Sequence, residues 1–157
     1  MSELRPELRP RPVPAERIAA LEAAADAVID GLRTGGDVSA AVAAFNAGTG
    51  HAFAADDFRV GFDGYDALIA MAAQPARLRV EGITQQELAE CVRRVRAADP
   101  HTDHYLRVLT SNLPDPGLSD LIFYPPPDLE DATDLEIVEA AQRYRPFVVA
   151  PDGTVSR

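Results

Sequence analysis

The sequence predicts an all-α protein, and the prediction rests on composition and on two helix-start motifs. Alanine and leucine dominate the chain, whereas β-branched residues are scattered, and this balance favours helices. Residues 84–87 and 133–136 both have the Thr-x-x-Glu pattern of a capping box, in which the two side chains satisfy backbone groups at a helix start. We therefore expect helices to begin near residues 84 and 133.

The first half of the chain predicts a proline-rich tail followed by a helical extension. Residues 3–6 and 7–10 both read Glu-Leu-Arg-Pro, and prolines at this density forbid a continuous helix. We expect residues 1–13 to form a mobile Pro/Arg-rich tail, with a docking arm as the alternative. Helical patterns follow at about residues 14–34, 37–45 and 65–74, within an N-terminal helical extension that spans residues 14–82.

Three further helices are predicted at about residues 84–98, 102–112 and 133–144. The side chains expected to face the core are Leu88, Cys91, Val92 and Val95 in the first, Tyr105, Leu106 and Leu109 in the second, and Leu135, Ile137, Val138 and Ala141 in the third. The second helix should point four side chains outward: His104, Arg107, Val108 and Ser111. Residues 147–149 are expected to dock as a short extended tail.

Charge and composition exclude several classes of function. The net charge of −10 would repel nucleic acid and anionic membrane surfaces. The longest strongly apolar run, residues 67–73, is far shorter than the roughly 18 residues that would suggest a membrane span. No apolar signal-peptide segment follows Met1, so we expect a cytoplasmic location. Cys91, the one cysteine, is expected to be a buried structural thiol.

The most informative segment is residues 119–125, which read Ser-Asp-Leu-Ile-Phe-Tyr-Pro. It lies within residues 108–142, a window that has eight carboxylates and no basic residue: Asp115, Asp120, Asp128, Glu130, Asp131, Asp134, Glu136 and Glu139. Aromatic side chains supply dense contact area, and carboxylates supply charge complementarity to a basic protein. The segment therefore suits a basic protein partner better than a small substrate.

From Ile83 to Phe147 the chain resembles the immunity proteins of nuclease bacteriocins, the colicin and pyocin group. Residues 119–125 are similar to that family's signature Ser-Asp-Leu-Ile-Tyr-Tyr-Pro, and residues 84–99 are similar to its first helix. The resemblance implies a distorted four-helix bundle over residues 83–150, with a very short third helix that carries the signature. Residues 14–82 would then be an additional N-terminal helical segment.

The resemblance also implies a function: binding and inhibition of a cognate basic nuclease toxin, which protects the producing cell. It implies no catalytic residue, no metal and no cofactor. Carried over by position, the short third helix provides the partner contacts Ser119, Asp120, Phe123 and Tyr124. The second helix would provide the specificity contacts His104, Arg107, Val108 and Ser111. Phe123 stands where the family has its first tyrosine, so one hydroxyl is absent here.

Two other functions remain open from the residues alone. A non-enzymatic acidic helical adaptor could bind another basic protein. An enzyme could be assembled from the Asp-rich segment 56–66 and a histidine, although no spacing selects a catalytic pair. His101 and His104 invite a metal site, but no third or fourth ligand has a defined place. The oligomeric state stays open, with a monomer favoured.

Overall fold

The computed structural model describes residues 3–60 and 62–145, together with the backbone of residues 148–149 and 155–156; side chains at 62–63 are outside that description. The described chain is helical except for one antiparallel pair of two-residue strands. It divides into two compact units. Residues 11–76 form the continuous unit, whereas residues 1–10 and 77–157 together form the split unit.

The continuous unit contains α1 (Ala15–Arg33), α2 (Ser39–Thr49) and α3 (Phe62–Ala73), with a 3-10 turn at Ala55–Phe58. Both α2 and α3 pack on α1. The buried residues of α1 are Leu21, Ala25 and Val28, which recur at the three- or four-residue spacing of one helix face. The core consists of Leu21, Ala25, Val28, Val38, Phe45, Phe58, Leu68, Ile69 and Ala72.

Two helix ends in the continuous unit differ from prediction. Helix α2 continues past Asn46 to Thr49, and the Asn46 side-chain amide exchanges two 2.9 Å hydrogen bonds with the backbone of Phe53. It ends at Gly50, whose φ of 74° lies in the left-handed region. Helix α3 begins three residues earlier than predicted and includes Gly64, where a Cβ atom would lie 2.9 Å from Val60. Gly64 therefore lies at a site of close packing inside α3.

The split unit contains α4 (Gln85–Arg96), α5 (Thr102–Asn112), α6 (Leu118–Phe123) and α7 (Asp134–Gln142), with 3-10 turns at Pro6–Leu8 and Pro127–Leu129. Strands β1 (Val148–Val149) and β2 (Val155–Ser156) pair antiparallel. Helix α4 packs against α5 and α7, and α6 contacts all three other helices. The core draws on every helix: Leu88, Cys91, Val92, Val95, Tyr105, Val108, Leu109, Leu118, Ile122, Ile137, Val138 and Ala141.

The two capping boxes are confirmed. Glu87 Oε2 accepts the backbone N–H of Thr84 at 2.9 Å, and Thr84 Oγ1 accepts that of Glu87 at 3.2 Å. Thr133 and Glu136 make the same reciprocal bonds at 2.7 and 3.3 Å. The predicted stripe of α4 is fully buried, as is that of α7 apart from the half-buried Leu135. These helix starts follow from local chemistry, which is why the sequence located them.

The prediction of a mobile tail is wrong for residues 3–10. Leu4 is 2 % exposed and Leu8 is fully buried, and both lie in the core of the split unit. Prolines forbid a continuous α-helix, but they permit the single 3-10 turn at Pro6–Leu8. The two compact units are divided after residues 10 and 76, whereas the sequence predicted boundaries after residues 13 and 82.

One prediction falls at the edge of the described residues. Val148 and Val149 are in an extended strand, whereas Phe147 lies outside the described part. Among the helices of the described part, none is both long enough and apolar enough to cross a membrane.

Candidate functional site

The candidate site is built on α6, a six-residue helix held between two rigid segments. Before it, Asp115 Oδ1 accepts the backbone N–H of Gly117 at 2.8 Å and closes a turn. After it come three consecutive prolines, which have no N–H to continue a helix and which restrict the preceding residue. The helix accordingly ends at Tyr124, where φ is −136° and ψ is 58°.

Helix α6 has one buried face and one exposed face. Leu118 and Ile122 are 0 % and 5 % exposed and anchor the helix in the core. The opposite face presents the four residues named for the third helix, all of them exposed: Ser119, Asp120, Phe123 and Tyr124. Helical spacing explains this division, because residues three or four apart lie on the same side.

The two aromatic rings of α6 are unusual in their exposure. Phe123 is 49 % exposed and Tyr124 is 80 % exposed. Only one other large apolar side chain in the described part of the chain is comparably exposed, Met71 of the continuous unit. Adjacent exposed rings on a rigid helix are costly to leave in water and are typical of a contact surface.

Asp120 lies on the same exposed face of α6. Among the residues that the structure describes, no arginine or histidine forms an ion pair with its carboxylate. The backbone carbonyl of Asp120 accepts the N–H of Tyr124 at 2.7 Å. The Asp120 residue itself is exposed. The carboxylate can therefore meet a cation from another molecule.

The surrounding acidic window is partly neutralised within the chain. Arg96 of α4 donates to Asp134 Oδ1 at 3.0 Å and to the carbonyl of Ala132 at 2.9 Å. Hydrogen bonds from Thr133 hold the pKa of Glu136 below its ordinary value and engage it in the cap. The carboxylates that stay exposed on the connection between α6 and α7 are Asp128, Glu130 and Asp131.

The structure does not place the four α5 candidates on a free surface. Val108 is fully buried, so its prediction as an outward specificity contact is wrong. His104 Nε2 donates to the carbonyl of Leu8 at 2.9 Å, and burial lowers the pKa of its imidazole. Ser111 Oγ accepts the backbone N–H of Leu78 at 2.9 Å. The outer side of α5 is covered by two segments from elsewhere in the chain.

Arg107 is the exception on α5. Its side chain is half-buried, and its NH1 atom is buried with no hydrogen-bond partner among the described residues. Burial lowers the pKa of its guanidinium, although Asp103 acts in the opposite direction. A buried donor without an acceptor is destabilising by roughly 1–3 kcal/mol, so an external acceptor would be favourable here.

An ionic cluster on α4 was missed from the sequence. Glu90 is 5 % exposed, and its carboxylate accepts from Arg93 Nε at 2.8 Å and from Arg94 Nε at 3.0 Å. Arg94 NH1 then donates to the hydroxyl of Tyr105 at 2.9 Å and joins α4 to α5. The i,i+3 and i,i+4 spacing of a glutamate with two arginines was the available signal.

The residues weighed for other chemistry have local partners. His101 lies 3.4 Å from Asp99, while His104 is bonded to Leu8. Across the described residues, no three side chains of the metal-ligating types gather into one group. Cys91 is fully buried, which raises the pKa of its thiol to about 12 and confirms the prediction of a buried thiol.

Comparison with known proteins gives a match to the C-terminal part of the chain. No curated protein and no solved structure matches the chain. The family model described as colicin immunity protein / pyocin immunity protein matches residues 80–146. The match contains α4 to α7 and the whole exposed face of α6, and it confirms the resemblance stated for residues 83–147. Over residues 80–146 the chain is thus similar to the family of colicin and pyocin immunity proteins.

Proposed function

We propose that this protein is a bacteriocin immunity protein that binds and inhibits a cognate nuclease toxin and so protects the producing cell. The observation that carries the proposal is the exposed face of α6, where two aromatic rings and an unpaired carboxylate stand together within the family-matched segment. A binding surface of this kind requires no turnover, and we accordingly propose a non-enzymatic inhibitor.

Charge supports a basic nuclease as the partner. A nuclease must attract phosphate, so the surroundings of its active site are basic. Asp120 and the exposed carboxylates at residues 128, 130 and 131 present the complementary sign. Complementary fields can raise association rates toward about 10⁸–10⁹ M⁻¹s⁻¹ at low salt. Fast capture matters because a free nuclease damages the cell that made it.

Retention in the complex needs a desolvated centre, which Phe123 and Tyr124 can provide. Phe123 ends a helix that is anchored by buried Leu118 and Ile122, and Tyr124 follows it directly. The rings are therefore presented with little conformational freedom left to lose on binding. Ser119 lies beside them and is proposed as a lesser contact.

The packing of the helices in the split unit supports a more detailed proposal for its fold. Helix α4 contacts both α5 and α7, and the six-residue α6 contacts all three. We propose that α4 to α7 form the distorted four-helix bundle of the immunity type, with α6 as its short third helix. On α5, Arg107 is the specificity residue that we retain, since His104 and Ser111 are engaged with Leu8 and Leu78.

Coexpression tests the proposal. The protein, produced with the nuclease encoded beside its gene, should rescue growth, and the purified pair should form a complex. Replacing Tyr124 or Asp120 with Ala should weaken both effects while leaving helicity unchanged. Asp66→Ala is the matched control, because Asp66 is an exposed helical aspartate of the continuous unit. Normal protection by both α6 variants would show that the contact surface is elsewhere.

The runner-up is an acidic helical adaptor that binds another basic protein, since exposed rings and carboxylates also suit other cationic surfaces. The same coexpression experiment separates the two functions. An adaptor would leave the nuclease active and the cell unprotected, and it would bind a non-toxic partner through Phe123 and Tyr124.

A further inference from the structure

The two Glu-Leu-Arg-Pro repeats at residues 3–6 and 7–10 have a place in the fold that the proposed function does not use. Leu4 and Leu8 are equivalent positions of the two repeats, and both are buried in the core of the split unit. The four-residue spacing and the intervening 3-10 turn at Pro6–Leu8 bring the two leucines to the same core. The repeat therefore spaces the two leucines so that both side chains are buried.

Arg5, which lies between the two leucines, also holds the segment to α4 through polar contacts. Arg5 donates from Nε and from NH2 to the two carboxylate oxygens of Glu87, the second bond measuring 3.0 Å. Arg5 NH2 also donates to the carbonyl of Gly82 at 3.3 Å. Hydrogen bonding from Arg5 is the main cause that lowers the pKa of Glu87. Glu87 thus closes the capping box of α4 and holds the N-terminal segment.

A third contact joins the segment to α5. His104 donates to the carbonyl of Leu8, and Arg9 donates back to the carbonyl of Leu4 at 2.7 Å. Farther along the same helix, Ser111 and Asn112 bond to the backbone of Leu78. Residues 3–9 and 78–80 therefore both lie along α5, although 67 residues separate position 10 from position 78 in the sequence.

We propose that α4 and α5 form a docking surface for the Glu-Leu-Arg-Pro repeat of the same chain. The split unit is then discontinuous in sequence, and residues 11–76 are a module inserted into it. The family-matched segment, residues 80–146, lacks these anchors and is not the complete folding unit. The docked repeat also keeps the partner away from His104, whichever protein that partner is.

A double-mutant cycle on Arg5 and Glu87 tests the docking in the full-length chain. Arg5→Gln, Glu87→Gln and the double variant are compared by hydrogen exchange of the α4 and α5 amides, which report on the split unit. We expect coupling of roughly threefold or more in the opening equilibrium constant, because the pair is bidentate and Glu87 is partly buried. Arg59 and Asp56, an exposed pair of the continuous unit, are the matched control and should show coupling near onefold.

Substitution of Leu4 or Leu8 should have a second and larger effect on hydrogen exchange of the split unit. Leu4→Ala or Leu8→Ala should raise the opening equilibrium constant of the split unit roughly 30-fold or more, since each side chain is at most 2 % exposed. Glu7→Ala, at an exposed position of the same repeat, should leave it unchanged. Because Leu4→Ala or Leu8→Ala could unfold the unit outright, the polar cycle stands as the independent measurement.

Three results would overturn the proposal. Coupling near onefold for Arg5 and Glu87 would show that the segment does not dock. Unchanged exchange in both leucine variants would show the same. Coupling that grows with protein concentration would place the repeat on a second copy of the chain. None of these results depends on the toxin, whereas Tyr124→Ala tests toxin binding without touching the repeat.

Discussion

Tyr124 is the side chain from which the proposed interface has most to gain, because 80 % of it is exposed in the free protein. We expect Tyr124→Ala to weaken toxin binding by at least about 2 kcal/mol, as is typical of a central interfacial aromatic. Stability should change by less than about 0.5 kcal/mol, since an exposed ring contributes little to folding. Calorimetric titration with the toxin and thermal unfolding measure the two effects.

Tyr124→Phe is the control for that experiment, since it keeps the ring and removes only the hydroxyl. Its affinity should lie much closer to that of the wild type. Equal losses in the two variants would assign the binding energy to the hydroxyl and not to the ring.

For Val108 we expect a loss of stability and no change of binding, because its side chain is fully buried in the core of the split unit. Val108→Ala should destabilise the protein by roughly 2 kcal/mol through lost burial and the cavity that remains. Toxin choice should be unchanged at temperatures where the variant is folded. Chemical denaturation and a binding assay against non-cognate toxins check both statements. A change of specificity without loss of stability would contradict the buried position of Val108.

At the scale of a single element, α4 depends on the ionised form of Glu90. Hydrogen bonds from Arg93 and Arg94 lower the pKa of Glu90 from its ordinary value of about 4.5. A lowered folded-state pKa means that the ionised carboxylate stabilises the fold at all pH values above about 4.5. That stabilisation is lost as pH falls below 4.5 and through the folded-state pKa.

Glu90→Gln should therefore destabilise the protein by roughly 1–3 kcal/mol at pH 7. The difference from the wild type should shrink as the pH is lowered from 4.5, because the wild-type carboxylate then becomes neutral as well. Thermal unfolding measured between pH 3 and 7 gives the comparison. A difference that stays constant over this range would show that charge is not the cause.

The stability of helix α7 depends on the cap at its first turn. Thr133→Ala removes the side chain that accepts the N–H of Glu136, and we expect a loss of about 1 kcal/mol in the free energy of unfolding. Thr133→Ser keeps the acceptor and should lose much less. Denaturant unfolding of the two variants tests the cap, and equal losses would attribute the effect to the methyl group instead.

At the scale of the whole molecule, the two units respond differently to truncation. Removal of residues 1–10 deletes two buried leucines and the Arg5–Glu87 pair from the split unit. We expect this truncated chain to lose hydrogen-exchange protection in α4 and α5 while α1 and α2 keep theirs. Mass-spectrometric exchange resolves the two units separately. Uniform loss of protection would instead indicate that the units unfold together.

The parts of the fold that the sequence predicted are those decided by neighbouring residues. The capping boxes at Thr84 and Thr133, the stripe of α4 and the division of α6 into two faces all depend on side chains within one or two helical turns. The family resemblance rested on the same local pattern at residues 119–125. Local chemistry of this kind is present in the sequence before any tertiary contact forms.

Other features of the candidate site depended on residues distant in sequence. Whether Val108 faces water depends on what covers α5, and the covering segments come from residues 3–9 and 78–80. The acidic window appeared unopposed because its cation, Arg96, belongs to another helix. Prolines at the N-terminus correctly excluded a continuous helix, but they could not show that leucines between them would be buried.

The sequence by itself determined an all-α protein, the helix starts at residues 85 and 134 and the similarity of residues 80–146 to the immunity family. Only the tertiary structure decided that the first ten residues complete the split unit and that α5 is covered by its own chain. The physical reason is that helix starts depend on short-range hydrogen bonds, whereas burial depends on which distant segments exclude water from a surface.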